Sequence, residues 1–263
     1  MTVLLLVLVA VLGLAVGSFL NVVVWRLPRG ESLASPPSAC PRCGHAIRPR
    51  DNVPVLSWLL LGGRCRDCRT PISVRYPLVE AATAVLFVLA GLRFGLEPPG
   101  LWAVPAFLYL AAVSVALALI DIDTHTLPNR IVLPSYVVGG VLLAVASAGT
   151  GDWAALLRGG LGLVVLWVAY FAMVMAYPRG MGFGDVKLAG VLGLYLGWVG
   201  WGALAVGAFA AFALGGVFAL GLLLTRRAGR KSGIPFGPWM LLGAGVGVAW
   251  GERLWALYLG AVL

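Results

Sequence analysis

Long, nearly uninterrupted apolar stretches recur along this chain and constrain its fold more than any other feature. They run at about 3–25, 78–95, 101–120, 131–148, 153–177, 186–200, 201–225 and 236–262. A helix needs about 20 apolar residues to cross a hydrocarbon core of roughly 30 Å. The composition agrees, since 61% of the residues are hydrophobic and only 11% charged. No soluble core hides that much apolar surface, so a soluble enzyme, a disordered chain and a collagen-like repeat are all excluded. Glycine, at 36 residues, is about twice as frequent as usual, as expected where membrane helices approach closely. The expected fold is an all-α polytopic membrane protein with about eight transmembrane helices. The least clear span is 186–200, short and interrupted by Gly190, Gly193 and Gly197. Fusing it with 201–225 would reverse the orientation of everything after it.

Charge sets the expected orientation. Nineteen Lys and Arg face ten Asp and Glu, an excess that in a soluble protein would suggest nucleic acid. Here all but Arg93, Arg158 and Arg253 fall in the 26–77, 121–130, 178–187 and 226–231 connections. Eight crossings put those four connections on one side. The positive-inside rule makes that side cytoplasmic, with both termini outside. The basic excess is therefore read as topology, with some affinity for anionic membrane lipid in the 226–231 run, and no nucleic acid is expected. Residues 1–12 carry no Lys or Arg, so they lack the basic start of a cleaved signal peptide, and the first span is expected to be retained.

The long connection, 26–77, holds Cys40-Pro-Arg-Cys43 and Cys65-Arg-Asp-Cys68, two CxxC pairs separated by 21 residues. Two such knuckles let four thiolates converge tetrahedrally on one ion, the geometry of structural zinc, and a closed four-thiolate shell leaves no position open for catalysis. The alternatives are two disulfides or reduced structural thiols. A cytoplasmic loop disfavours disulfides, and so short a segment needs a staple to fold. His45 is expected to be solvated rather than a ligand.

Charged groups within a bilayer are expensive and mark function by default. Glu80, Asp121, Asp123 and Asp185 lie at or just inside span ends on the expected cytoplasmic side. Two aspartates brought together can share a proton, so that one activates water while the other protonates a peptide carbonyl. Other hydrolytic machinery is missing: there is no GxSxG, no HExxH, and only two histidines. His125 is a neighbour of Asp121 or an interfacial polar residue. Asp185 ends Gly180-Met-Gly182-Phe-Gly184-Asp185, where glycine permits close backbone approach and unusual φ/ψ. The plainer alternative is an aspartate capping the next helix.

These motifs, in this order, resemble the bacterial type IV prepilin peptidases, the prepilin leader peptidase/N-methyltransferases among the GxGD membrane aspartyl proteases. The resemblance runs from Gly17-Ser-Phe-Leu-Asn21-Val and Trp25-Arg-Leu-Pro28 through both CxxC pairs, Asn52-Val-Pro-Val-Leu-Ser-Trp-Leu59 and Gly63-Arg-Cys65. It continues through Arg75-Tyr-Pro-Leu-Val-Glu80, Asp121-Ile-Asp123 with Leu127-Pro128-Asn129, and Gly184-Asp185-Val-Lys187. It implies Asp121 and Asp185 as the catalytic pair. In the shorter archaeal relatives the catalytic aspartate stands seven residues before a proline, as Asp121 does before Pro128, whereas Asp123 stands five before it. Helical positions i and i+2 point about 200° apart, so the two cannot face Asp185 equally.

The resemblance also implies substrates and cofactors. Substrates would be type IV prepilins and the pseudopilins of type II secretion, cut after a glycine at the cytoplasmic face of the bacterial inner membrane. The new N-terminus would then be methylated with S-adenosylmethionine as donor. Family resemblance links that transfer to the cysteine loop and a Gly-Lys step; here the step reads Gly63-Arg64, and Arg does not replace Lys neutrally where geometry matters. No role is assigned to Glu80. The division implied is a first helix at 1–25, a cytoplasmic four-cysteine zinc module at 26–77 and a seven-helix peptidase core at 78–263. The rivals are an ion- or proton-coupled transporter, against which stands the lack of a convincing internal repeat, and a non-enzymatic assembly factor docking through the cysteine loop.

Overall fold

The computed structural model describes residues 2–178, 180–225 and 234–262. Among them the chain is helical, with two isolated β-bridges and no strand. Each expected span meets one helix: α1 (Thr2–Arg26), α3 (Arg75–Phe94), α4 (Val104–Thr124), α5 (Asn129–Thr150), α6 (Trp153–Ala176), α7 (Phe183–Val199), α8 (Trp201–Leu224) and α9 (Gly237–Val262). A short α2 (Leu56–Leu60) lies in the cysteine loop. By length and composition α1, α3, α4, α5, α6 and α8 are long and apolar enough to cross a membrane. This is a multi-pass membrane protein. Of the basic residues used for orientation, Arg179 and the 226–231 run lie outside the described residues.

The chain forms two compact units, Met1–Ala116 and Leu117–Leu263, with the boundary inside α4. In the first, α1 packs on α3 through small residues. A Cβ on Gly13 would stand 2.6 Å from the Ala84 Cα, and one on Gly17 would stand 2.7 Å from the Glu80 Cα. On α1, Val3, Leu4, Val7, Leu8, Val11 and Leu12 are exposed, which suits a surface solvated by acyl chains.

In the second unit, α7 is the centre. From Asp185 to Gly197 every residue is buried except the half-buried Lys187, and α5, α6, α8 and α9 all pack against this helix. A helix apolar on all sides belongs in such a core. The glycines that made 186–200 look like a weak span are what let neighbours come this close. A Cβ on Gly162 of α6 would stand 2.5 Å from the Gly193 carbonyl oxygen, and one on Gly243 of α9 would stand 2.5 Å from the backbone nitrogen of Ala211 in α8.

The break between α7 and α8 at Gly200 is capped from both sides. Arg158 of α6 donates from Nε to the Gly197 carbonyl and from Nη2 to the Trp198 carbonyl, both at 2.8 Å. Glu252 of α9 accepts the Ala203 N–H at 2.9 Å. A cation thus meets the unpaired carbonyls ending α7, and a carboxylate meets the unpaired amides beginning α8. The 186–200 and 201–225 stretches are two helices.

Replacing Gly162 with Leu should lower the thermal unfolding midpoint of detergent-solubilised protein, by the equivalent of about 1–3 kcal/mol for overpacking. Gly160→Leu, with nothing within 4 Å of its Cβ position, should leave the midpoint unchanged in the same scan.

Candidate active site

Helix α4 runs on past the expected end at 120, and this places Asp121 in its last turn. Ile120 and Leu117 are fully buried beside it, and Asp121 is itself only 5% exposed. Asp123, two positions on, faces out and is exposed. The helix stops where His125 takes φ 53° and donates its backbone N–H to the Asp121 carbonyl at 2.8 Å, a left-handed termination. Pro128 then precedes α5.

Asp185 occupies the third position of α7, where its Oδ2 accepts the Gly182 N–H at 3.0 Å. It therefore does serve the helix start, but from inside the first turn rather than as the cap. A negative group there also complements the positive end of the helix. The glycines before it do not act through unusual dihedrals, because none of Gly180, Gly182 and Gly184 has a positive φ. They act through space: a Cβ on Gly184 would stand 3.2 Å from the Leu127 Cβ.

Leu127 links the two carboxyls. On one side it lies against Gly184, next to Asp185; on the other it would be 3.2 Å from a Cβ on Gly237. Gly237 opens α9, and its N–H donates to Asp121 Oδ2 at 3.0 Å. Asp121 and Asp185 sit within Coulombic reach of each other, as do His125 and Asp121, and Tyr170 and Asp185. Two motifs joined only by order in the sequence are also tied directly. Lys187 Nζ donates to Asn129 Oδ1 at 3.0 Å, and the Tyr136 hydroxyl donates to the Lys187 carbonyl at 2.5 Å.

In the other unit, the two cysteine pairs form matching knuckles. Cys40 N–H donates to the His45 carbonyl at 2.9 Å and Cys65 N–H to the Thr70 carbonyl at 2.8 Å, with left-handed Gly44 and Arg69 at equivalent turns. Two ion pairs staple one knuckle segment to the other: Arg48 to Asp67 at 3.0 Å, and Arg66 to Asp51 through three contacts of 2.6–3.0 Å. The four Sγ atoms lie within 4.8 Å of one another, with Cys40 and Cys68 at 3.7 Å. Four sulfurs about 2.3 Å from a tetrahedral ion are about 3.8 Å apart, so the cluster can hold a metal ion. His45 is not in it.

The thiols titrate unevenly. The Thr70 hydroxyl and backbone N–H bring Cys68 down to about 6. At Cys43 the His45 N–H pulls downward too, but desolvation and the neighbouring sulfurs outweigh it and push that thiol up to about 12. Anionic sulfurs this close oppose one another unless a cation neutralises them, which suits the donor set to a metal. Gly63 is buried at φ 65° against the Trp58 ring, and Arg64 is exposed.

Comparison with known proteins agrees with this arrangement. Residues 11–94 match the bacterial peptidase A24 N-terminal domain, and residues 108–220 match the type IV leader peptidase family. The chain belongs to the type IV leader peptidase family. Among its relatives is the prepilin leader peptidase/N-methyltransferase of Aeromonas salmonicida strain A449, 36% identical over 282 aligned positions that cover 97% of this chain and 94% of that protein. The protein of the same name from Pseudomonas aeruginosa is 36% identical, covering 94% and 91%. That of Myxococcus xanthus is 40% identical, covering 84% and 64%. No solved structure matches the chain.

Several residues around Asp121 and Asp185 carry no motif of their own. Gly237 lies 116 positions from the carboxyl it binds, and Tyr170 reads in sequence as an ordinary aromatic residue; Leu127 belongs to the Leu127-Pro128-Asn129 motif, but nothing in sequence places it between the two carboxyls. Lys187 and Asn129 stood inside motifs, yet only the fold pairs them.

A Cβ on Gly237 would stand 2.6 Å from Asp121 Oδ2. Gly237→Ala should therefore displace that carboxyl and lower peptidase activity by about a hundredfold, the scale of an ångström-sized misplacement. Gly245→Ala, in open space on the same helix, should keep wild-type rates in the same prepilin cleavage assay.

Proposed function

We propose that this chain is an aspartyl endopeptidase that removes the short basic leader of type IV prepilins and pseudopilins, and N-methylates the residue exposed. The observation that carries this reading is a pair of buried aspartates at the ends of two helices, each gripped through Oδ2 by a backbone N–H, with Leu127 lying against the glycines beside both.

That geometry suits hydrolysis without a nucleophilic side chain. One carboxylate takes a proton from water as the water oxygen attacks the carbonyl carbon of the scissile glycine. The other, protonated, gives its proton to the carbonyl oxygen. Collapse of the tetrahedral intermediate breaks the C–N bond, and the nitrogen leaves with a proton from the dyad. Holding Oδ2 on an amide fixes each carboxyl plane and leaves Oδ1 for water and substrate. The burial of Asp121 and exposure of Asp123 favour Asp121 as the partner of Asp185. A transporter reading has no comparable support, since the relatives' names and the matched family describe peptidases.

Zinc is the ion that best suits four cysteine sulfurs, and Cys40, Cys43, Cys65 and Cys68 would hold it as a structural centre. S-adenosylmethionine would supply the methyl group. Gly63 and Arg64 are the residues assigned to that step: Arg64 is exposed and has no ion pair among the described residues, which suits a carboxylate-bearing donor. The arginines of 26–77 favour the cytoplasmic side of the bacterial inner membrane for this segment, with both termini outside. In this division 1–25 is the first span, 26–77 the zinc module and 78–263 the peptidase core. Lipid headgroups, not nucleic acid, meet the basic excess.

Asp121→Asn and Asp185→Asn should each abolish leader cleavage, read by intact mass of a prepilin incubated with purified protein, while Asp123→Asn keeps most of it. Cleavage by the Asp121 variant and none by the Asp123 variant would reverse the assignment. Elemental analysis should find one zinc ion per chain. In Cys40→Ser/Cys43→Ser protein that zinc should vanish and methyl transfer should fall more steeply than cleavage, because binding energy at such sites is folding energy for the loop whereas membrane helices satisfy their own backbone. Cleavage lost with methylation of a pre-cleaved pilin intact would contradict that division of labour.

A further inference from the structure

The short helix α2 presents a face that nothing in its own unit covers. Leu56, Leu59 and Leu60 are 52%, 61% and 77% exposed, and their i, i+3, i+4 spacing places them on one side. The other side is held tightly. Ser57 is buried and donates to the Arg50 carbonyl at 3.0 Å, and the Trp58 indole donates to the Ile72 carbonyl at 3.1 Å. The orientation of α2 is therefore fixed, with three leucines pointing away.

Its start is tied to α3. Val55, which immediately precedes α2, has φ 60°, a positive value that β-branched residues rarely adopt. Its N–H donates to the buried Glu80 Oε2 at 2.7 Å. Glu80 is five residues into α3, about 8 Å along the axis of a membrane-spanning helix. The Glu80 bond thus ties α2 to the second turn of a helix long and apolar enough to cross a membrane, and helices lying in the plane of a bilayer interface bury their apolar face by about 5–10 Å.

We propose that α2 is an interfacial anchor: Leu56, Leu59 and Leu60 enter the headgroup–acyl boundary, and Arg50 engages the phosphate of an anionic phospholipid. Arg50 is exposed, without an ion pair among the described residues, and joined to α2 by the Ser57 hydroxyl on its carbonyl. Charge selects this occupant over two others. Residues 26–77 hold nine arginines against Glu31, Asp51 and Asp67, a balance that repels a basic peptide or a second copy of the same face and attracts anionic lipid.

The test places p-benzoylphenylalanine at Leu60, and separately at Leu59, in the full chain reconstituted in nanodiscs of equal phosphatidylethanolamine and phosphatidylglycerol. Irradiation should give lipid adducts by intact mass at both positions, with phosphatidylglycerol enriched about fivefold by one nearby arginine. Arg50→Gln should reduce that enrichment and leave total lipid adduct unchanged. Absence of lipid adduct at both positions, adducts to a second copy or to an added prepilin peptide instead, equal capture of the two lipids, or enrichment unaffected by Arg50→Gln would each overturn the proposal.

Discussion

A carboxyl group taken out of water must be met by a donor, and the candidate site is built around that requirement. Leaving such a group unmet is among the largest penalties a fold can carry. Here the donors are backbone amides at helix beginnings: Gly182 before α7 for Asp185, and Gly237 at the start of α9 for Asp121. Helix N-termini have amides with no partner of their own and a dipole that favours negative charge. Three helices, α4, α7 and α9, must therefore end or begin within a few ångströms of one another for either aspartate to be accommodated.

Small residues make that convergence feasible. Lipid provides no hydrophobic drive between apolar helices, so close contact must do the work through van der Waals packing. Gly162 against Gly193, Gly207 against Gly243, and Gly237 against Asp121 are positions where a side chain would meet backbone or the carboxyl itself. Polar residues at the far end serve the same framework. Arg158 and Glu252 satisfy the interrupted backbone between α7 and α8, which lets a single apolar region of sequence turn into two packed helices.

Helix number and position were legible in the sequence because lipid imposes one dominant signal: the eight stretches correspond to eight long helices, six of them long and apolar enough to cross a membrane. The cysteine cluster was legible because CxxC spacing is itself a geometric statement, and the four sulfurs do converge. Which helices pack together was not legible, since apolar faces in a membrane carry little period: α7, the least convincing span, is the buried centre of its unit. The glycines before Asp185 suggest both space and unusual dihedrals, and they provide space. Glu80 had no readable partner because a strained Val55 amide in a loop leaves no pattern in sequence.

The amide that meets Asp121 lies 116 residues further along the chain. At about 5–20 residues per second of translation, a growing polypeptide holds Asp121 for roughly ten seconds before Gly237 exists to bind it. Until α9 joins the bundle, that carboxyl lacks the backbone donor it meets in the finished fold, so the surroundings of Asp121 are completed only by the last helix of the chain.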